Sequence, residues 1–179
     1  MGDLRDLETA EMCVQAALTG HLVLTAMLPP DAPSVLTRLL DMGVSPFLVA
    51  SAVTAVLAQR LVRRLCEKCR VKYQPPAALL ADLEQQTGLP LAGGTFYRPG
   101  GCGECREYGY RGRAAVFELL EMDLPVKEAV LARAPVAEIR RAALDAGMTT
   151  MLQDGLRKAK EGLTSLEKVM RVLRVMGRE

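Results

Sequence analysis

From the start of the chain, apolar positions recur at spacings of three and four: Leu7, Ala10, Val14, Ala17 and Leu18 share one helical face. Asp6 stands where it can cap that helix, and Gly20 occupies the position favoured after a last turn. "HLVLTAML" follows, short, apolar and stopped by Pro29 and Pro30, which is the pattern of a buried strand. Asp31 caps a second helix, with Pro33 in its first turn, Leu36, Leu39 and Leu40 inside and Gly43 after it. Ser45 and Pro46 open a third, "FLVASAVTAVLA", apolar on most faces and so expected to be deeply buried. "QRLVRRL" reads as a strand leading out. Helix and strand alternating in this way predict the α/β class, with a parallel or mixed sheet.

The pattern changes at Cys66. Residues 66–112 hold every proline between Pro46 and Pro125 and most of a glycine cluster, "AGGTFYRPGGCGEC", around one modest helix from Ala77 to Gln86. "RAAVFELLEM" then supplies a strand, and from Asp123 the pattern is helical. "APVAEIRRAALDAG" stops at Gly147 and "TTMLQDGLRKAKEG" at Gly162. A last helix begins with Thr164 and Glu167 in capping-box spacing and is expected to bury Leu166, Val169, Met170 and Leu173. Three parts result: an α/β piece (1–65), a cysteine-bearing insertion (66–111), and a returning strand with a helical tail (112–179).

Composition narrows the function classes. At 179 residues the chain can bury one good-sized core, or a core and a small satellite, and 50% hydrophobic with 25% charged residues is ordinary for a globular protein. Net charge is +2 with both signs interspersed, and there are three Phe, four Tyr and no Trp, which argues against a nucleic-acid binder. No apolar run approaches the ~20 residues that cross a bilayer, and no signal peptide is present, so the cytoplasm is the expected compartment.

Cys66 and Cys69 form one C-x2-C and Cys102 and Cys105 another, 32 residues apart. Two intervening residues let both sulfurs of a pair reach ~2.3 Å from one zinc ion. Lys68, Arg70 and Arg106 stand beside them to offset the charge of four thiolates, and Gly100, Gly101 and Gly103 allow a tight knuckle backbone. Disulfides do not suit a cytosolic chain, and a redox C-x-x-C would need only one pair. Four sulfurs leave no open coordination position, so the expected zinc is structural. Cys13 reads as a core residue.

Taken together, "GDLRDLETAEMCVQAALTGHLVLTAM", "DAPSVLTRLLDMGVSPFLVASAVTAVLAQRLVRRLC", the two C-x2-C pairs, "GYRGRAAVFELLEM" and "GMTTMLQDGLRKAKEGLTSLEKVMRV" resemble the C-terminal half of the secretion ATPases. These are the hexameric motors of type II secretion and type IV pilus assembly, the general secretion pathway protein E family. The resemblance implies a partial RecA-like ATPase core, an inserted tetracysteine zinc subdomain and a helical C-terminal region. It further implies ATP and magnesium as cofactors and a homo-oligomeric ring acting on an inner-membrane platform protein, so that the motor is cytoplasmic but peripheral to that membrane. The tetracysteine motif places the chain on the secretion or assembly branch.

Carried over by position, the resemblance makes Asp3 and His21 the catalytic candidates and puts Gly2, Arg5, Asp6 and Arg60 near the nucleotide. Plainer roles stand beside these. Asp3 and Asp6 suit a helix start by charge alone, His21 suits a satisfied core histidine, and Arg60, Arg63 and Arg64 suit a solvated strand face. The family's phosphate-binding loop, G-x-x-x-x-G-K-[ST], does not occur, so the chain reads as a fragment starting at the end of the Walker B strand and is expected to be inactive alone. Two positions depart from the family. Asp3 stands in "GDLRD" where "GEIRD" is usual, and a carboxylate displaced by one methylene costs about 10²-fold. Leu28 stands where the second histidine of the histidine box belongs. These departures raise the alternative of a catalytically degenerate ring subunit.

Overall fold

The structure, a computed structural model, describes residues 2–173. Met1 and the last six residues of the predicted tail lie outside the described residues. The chain is mixed α/β and its described residues divide into two compact units, one formed by 2–58 and 118–149, the other by 59–117 and 150–173. Acidic residues outnumber basic ones in the first unit and the reverse holds in the second, so charges interspersed along the sequence are segregated by the fold.

In the first unit, α1 (Leu7–Leu18) starts at Asp6, whose carboxylate accepts the Thr9 N–H at 2.8 Å, and Gly20 follows at φ +92°. α2 (Ala32–Asp41) starts at Asp31, which accepts from the Ser34 N–H at 3.0 Å, and Gly43 follows at φ +103°. Both ends thus fall where the sequence put them. The third helix is shorter than its apolar run predicts: α3 (Pro46–Ala52) stops before Val53, which is already extended, and β1 (Ala55–Leu65) takes over the rest. β-branched Val53, Thr54 and Val56 favour the strand there. Only Val49 and Ala50 of α3 are buried, and Phe47 is 68% exposed, so the deep burial expected of this helix does not occur.

Residues 21–28 are the larger correction. They form no strand, and Leu22, Leu24 and Leu28 are exposed. A strand needs a ladder, and this stretch has one parallel bridge, Asp3 to Ala26, with the Leu4 N–H on the Ala26 carbonyl at 2.8 Å and the Thr25 hydroxyl on the Gly2 carbonyl at 2.8 Å.

β4 (Tyr110–Glu121) pairs with β1, and α5 (Leu124–Leu131) and α6 (Val136–Asp145) complete the first unit. Its core gathers Ala10, Leu36, Val44, Val49, Leu120, Val126, Val130 and Ile139, where each large apolar side chain contributes roughly 1.5–3 kcal/mol by leaving water. Cys13 lies in this core, as expected.

The second unit contains β2 (Val71–Tyr73) and β3 (Phe96–Arg98), antiparallel with Val71 opposite Arg98 and Tyr73 opposite Phe96. α4 (Ala77–Thr87), α7 (Met151–Lys160) and α8 (Leu166–Leu173) pack around Leu80, Leu83, Leu91, Phe96, Leu156 and Val169. Thr150 and Gln153 close a capping box on α7. The box expected at α8 does not form. The helix begins at Leu166, so Ser165 is the capping residue and its Oγ accepts the Lys168 N–H at 3.3 Å, while Thr164 stands one position outside and donates its hydroxyl to the Arg63 carbonyl at 2.8 Å. α8 buries Leu166 and Val169, with Met170 and Leu173 packed partly buried at its edge.

Candidate metal centre and cleft

Both C-x2-C pairs sit on tight turns. The Cys69 and Arg70 N–H groups donate to the Cys66 carbonyl at 3.3 and 3.0 Å, and the Cys105 and Glu107 N–H groups to the Cys102 carbonyl at 3.1 and 3.0 Å. The second knuckle turns through a short 3-10 helix, η1 (Gly103–Cys105), and then places Arg106 and Glu107 at φ +52° and +63°. The first is carried at the end of β1, and the Cys66 N–H donates to the Gly109 carbonyl at 3.0 Å, tying the two knuckles together.

This brings all four sulfurs within 4.8 Å of one another, with Cys66 and Cys105 buried. The sulfur–sulfur separations are 3.9 Å for Cys66–Cys102, 3.7 Å for Cys69–Cys105 and 3.7 Å for Cys102–Cys105. Disulfide sulfurs would lie at ~2.05 Å. Four sulfurs at ~2.3 Å from one tetrahedral ion lie ~3.8 Å apart, so the observed spacing fits a tetrathiolate centre and not a pair of disulfides. Among the described residues this is the one group of metal-type donors so disposed.

The surroundings begin to differentiate the thiols. Burial, together with the neighbouring thiols, pushes Cys69 up to about 12. Burial raises Cys105 as well, but N–H donation outweighs it, led by the Gly109 N–H at 3.1 Å from the sulfur, and brings Cys105 down to about 7. A soft metal binds such sulfurs as thiolates and displaces their protons.

Of the glycines expected to shape the site, Gly100 is essential: a Cβ there would lie 2.1 Å from the Cys69 carbonyl oxygen. At Gly101 a Cβ would press on the Glu107 carboxylate, the far end of a flexible side chain. Gly103 needs no such freedom, since a Cβ there meets nothing within 4 Å. The residue missed was Gly109, at φ +70°, where a Cβ would lie 2.4 Å from Pro99 Cβ. Its glycine in "EYGYRGR" was the available signal. Arg70, expected to balance thiolate charge, directs its guanidinium to the Gly162 carbonyl at 2.6 Å and lies 4.8 Å over the Tyr97 ring.

The remaining candidates fall apart into separate places. Within the first unit, an open cleft of about 460 Å³ is lined by Asp3, Arg5, Ser34, Thr37, Arg38 and Asp41 and by apolar Met27, Leu28, Pro29 and Pro30. It brings Asp3, Arg5 and the departing Leu28 together. Asp3 and Arg5 form an exposed ion pair at 2.8 Å, a contact worth little in water and easily exchanged. Gly2, Asp6 and His21 are not among the lining residues. Asp6 is committed to capping α1, and those hydrogen bonds hold its carboxyl below the usual range. His21 is exposed and not a core residue; its Nδ1 lies 3.1 Å from Thr19 Oγ1 and 3.2 Å from the Ala16 carbonyl. Arg60 belongs to the second unit and donates to the Gln59 carbonyl at 3.0 Å, while Arg64 pairs with Glu67. No helix is long and apolar enough to cross a membrane, among the described residues.

Comparison with known proteins finds relatives along nearly the whole chain. The family described as "Type II/IV secretion system protein" matches residues 1–171. The type IV pilus assembly ATPase TfpB of Acinetobacter baylyi is 43% identical over 97% of this chain and 29% of its own length. The type II secretion system protein E of Pseudomonas aeruginosa is 44% identical over 97% of this chain and 34% of its own, and that of Dickeya dadantii 46% over 96% and 33%. The chain thus spans about a third of the curated relatives it matches. In fold it is similar to the ATPase DotB of Legionella pneumophila, with TM-score 0.60 and 18% identity over 97% of this chain and 37% of that one.

Proposed function

The chain belongs to the type II/IV secretion system protein family, and from that premise we propose that it is a segment of a ring-forming motor ATPase that drives pseudopilus or pilus extension. The observation that carries this is the match, along 97% of the chain at 43–44% identity, to proteins named for type IV pilus assembly and type II secretion. In this reading the first unit is part of a RecA-like core in which Asp3 and His21 are the catalytic residues, Asp3 orienting the attacking water, and Gly2, Arg5 and Asp6, with Arg60 of the second unit, are the nucleotide-proximal residues. The division into core (1–65), zinc insertion (66–111) and tail (112–179) is kept as part of the proposal. Cys66, Cys69, Cys102 and Cys105 would hold one zinc ion, which supplies folding energy and no reaction step because no coordination position stays open. ATP and magnesium would be bound by the intact motor, which would work as a homo-oligomeric ring in the cytoplasm against an inner-membrane platform protein, without nucleic acid.

These 179 residues contain no G-x-x-x-x-G-K-[ST], so the backbone N–H cradle and the lysine that hold β- and γ-phosphates must come from elsewhere in the motor. A second reading, a ring subunit kept for assembly with little turnover, is favoured by one observation: the cleft that Asp3 lines is also lined by Leu28, Pro29 and Pro30, which donate no side-chain hydrogen bond. The test is a chimera in which this chain replaces the matching third of the Pseudomonas aeruginosa type II secretion system protein E. Magnesium-dependent ATP turnover supports the motor reading. Turnover only after Asp3→Glu and Leu28→His marks the degenerate subunit, and no turnover in either chimera, both folded, contradicts the motor reading.

A further inference from the structure

Beyond its bonds to α7 and α8 themselves, the turn between these helices is bonded to residues that flank the cysteines. The Leu163 carbonyl accepts the Leu65 N–H at 2.9 Å, immediately before Cys66. Thr164 Oγ1 donates to the Arg63 carbonyl at 2.8 Å. The Gly162 carbonyl accepts from Arg70 Nη1 at 2.6 Å, immediately after Cys69. Ser165 Oγ and the Tyr110 hydroxyl are 2.8 Å apart, and Tyr110 follows Gly109, whose N–H is bonded to the Cys105 sulfur. Lys168 Nζ lies 5.3 Å over the Tyr110 ring.

The fit at Gly162 is close. Its φ is +74°, and a Cβ would stand 2.7 Å from Tyr97 and 2.8 Å from Arg70 Nη1. No residue but glycine lets the guanidinium stack on Tyr97 and reach the carbonyl at once. The knuckle backbone aims that guanidinium, since the Arg70 N–H closes the first knuckle on the Cys66 carbonyl.

We infer that Arg70 is a pin through which the tetracysteine centre controls α7 and α8, so that metal occupancy sets the order of these two helices as well as of the insertion. This rests on the metal reading above. Without the ion the first knuckle loses the constraint that fixes residues 66–70, and the Arg70, Arg63 and Leu65 contacts loosen with it, because metal binding and folding of such a site are one equilibrium. The centre is then a metal-responsive latch on the C-terminal helices.

Amide hydrogen exchange followed by mass spectrometry tests this on the purified protein, as isolated and after chelation of its metal. Removal should accelerate exchange in 66–111 and in 150–173 together, and leave α1, α2 and α6 unchanged. Arg70→Ala should keep its metal by elemental analysis yet exchange about tenfold faster through 160–168 with the metal in place, the loss of one charge-assisted hydrogen bond. Tyr110→Phe, a milder variant, should act in the same direction at the start of α8. Bound metal with no change in 150–173 on its removal overturns the latch alone. A folded protein with no metal overturns the metal reading and the latch together. Arg70→Ala with exchange indistinguishable from the parent removes the pin, and Tyr110→Phe indistinguishable from the parent removes Tyr110 as its second tie.

Discussion

Gly109→Ala perturbs the metal centre without touching a ligand. Gly109 has φ +70°, a conformation that costs an alanine roughly 1–2 kcal/mol. The added Cβ would lie 2.4 Å from Pro99 Cβ and 3.0 Å from Pro99 Cα, so backbone must move, at a further 1–3 kcal/mol or so. That movement displaces an N–H 3.1 Å from the Cys105 sulfur and a carbonyl that accepts the Cys66 N–H at 3.0 Å, one contact in each knuckle. The expected result is a loss of about 2–5 kcal/mol of stability in the second unit and about a 10–100-fold weaker hold on zinc, the range found when partners of metal ligands are removed. Thermal unfolding and competition with a chromophoric chelator measure the two effects. Gly103→Ala is the control, since a Cβ there meets nothing within 4 Å, and it should behave as the parent. If both variants bind zinc and unfold alike, the close approach at Gly109 does not hold the knuckles in place, and the reasoning fails.

Burial raises the Asp31 carboxyl, but hydrogen bonds from Ser34 and Arg140 outweigh it and hold the group below its usual range. A depressed folded value stabilises the native state above the ordinary carboxylate range of about 3.9 and loses that contribution as pH falls through the lowered value. Asp31→Asn should therefore be less stable than the parent at neutral pH, with the gap closing in acid; a gap independent of pH in denaturation from pH ~6 to ~2 would show that the charge is not responsible. The 179-residue chain by itself should not hydrolyse ATP, for want of the phosphate-binding loop; magnesium-dependent phosphate release above a buffer blank would contradict this.

Local chemistry was legible in the sequence and non-local contact was not. Asp6, Gly20, Asp31 and Gly43 mark helix ends through bonds and dihedrals within a few residues, and the structure places the ends there. The spacing of Cys66, Cys69, Cys102 and Cys105 was equally plain, and the sulfurs meet. "HLVLTAML" misled because a short apolar run says nothing about whether a neighbouring strand exists to complete a ladder. The apolar run after Pro46 misled for a related reason, since periodicity alone does not separate a buried helix from a strand, and β-branched Val53 and Thr54 settled the boundary. Thr164 and Glu167 had the spacing of a capping box, but α8 starts at Leu166 and is capped by Ser165, while the Thr164 hydroxyl reaches a carbonyl 101 residues away. Arg70 and Gly162 are 92 residues apart, and nothing in either neighbourhood pointed to the other.

The claim that one zinc ion is held by four sulfurs of this chain is tested most directly by X-ray absorption at the zinc edge, with metal content determined on the same sample. One zinc per chain with four sulfur neighbours at ~2.3 Å is expected, lost in Cys66→Ser. Zinc bound through nitrogen or oxygen, or a folded chain with no metal and four titratable thiols, would contradict it.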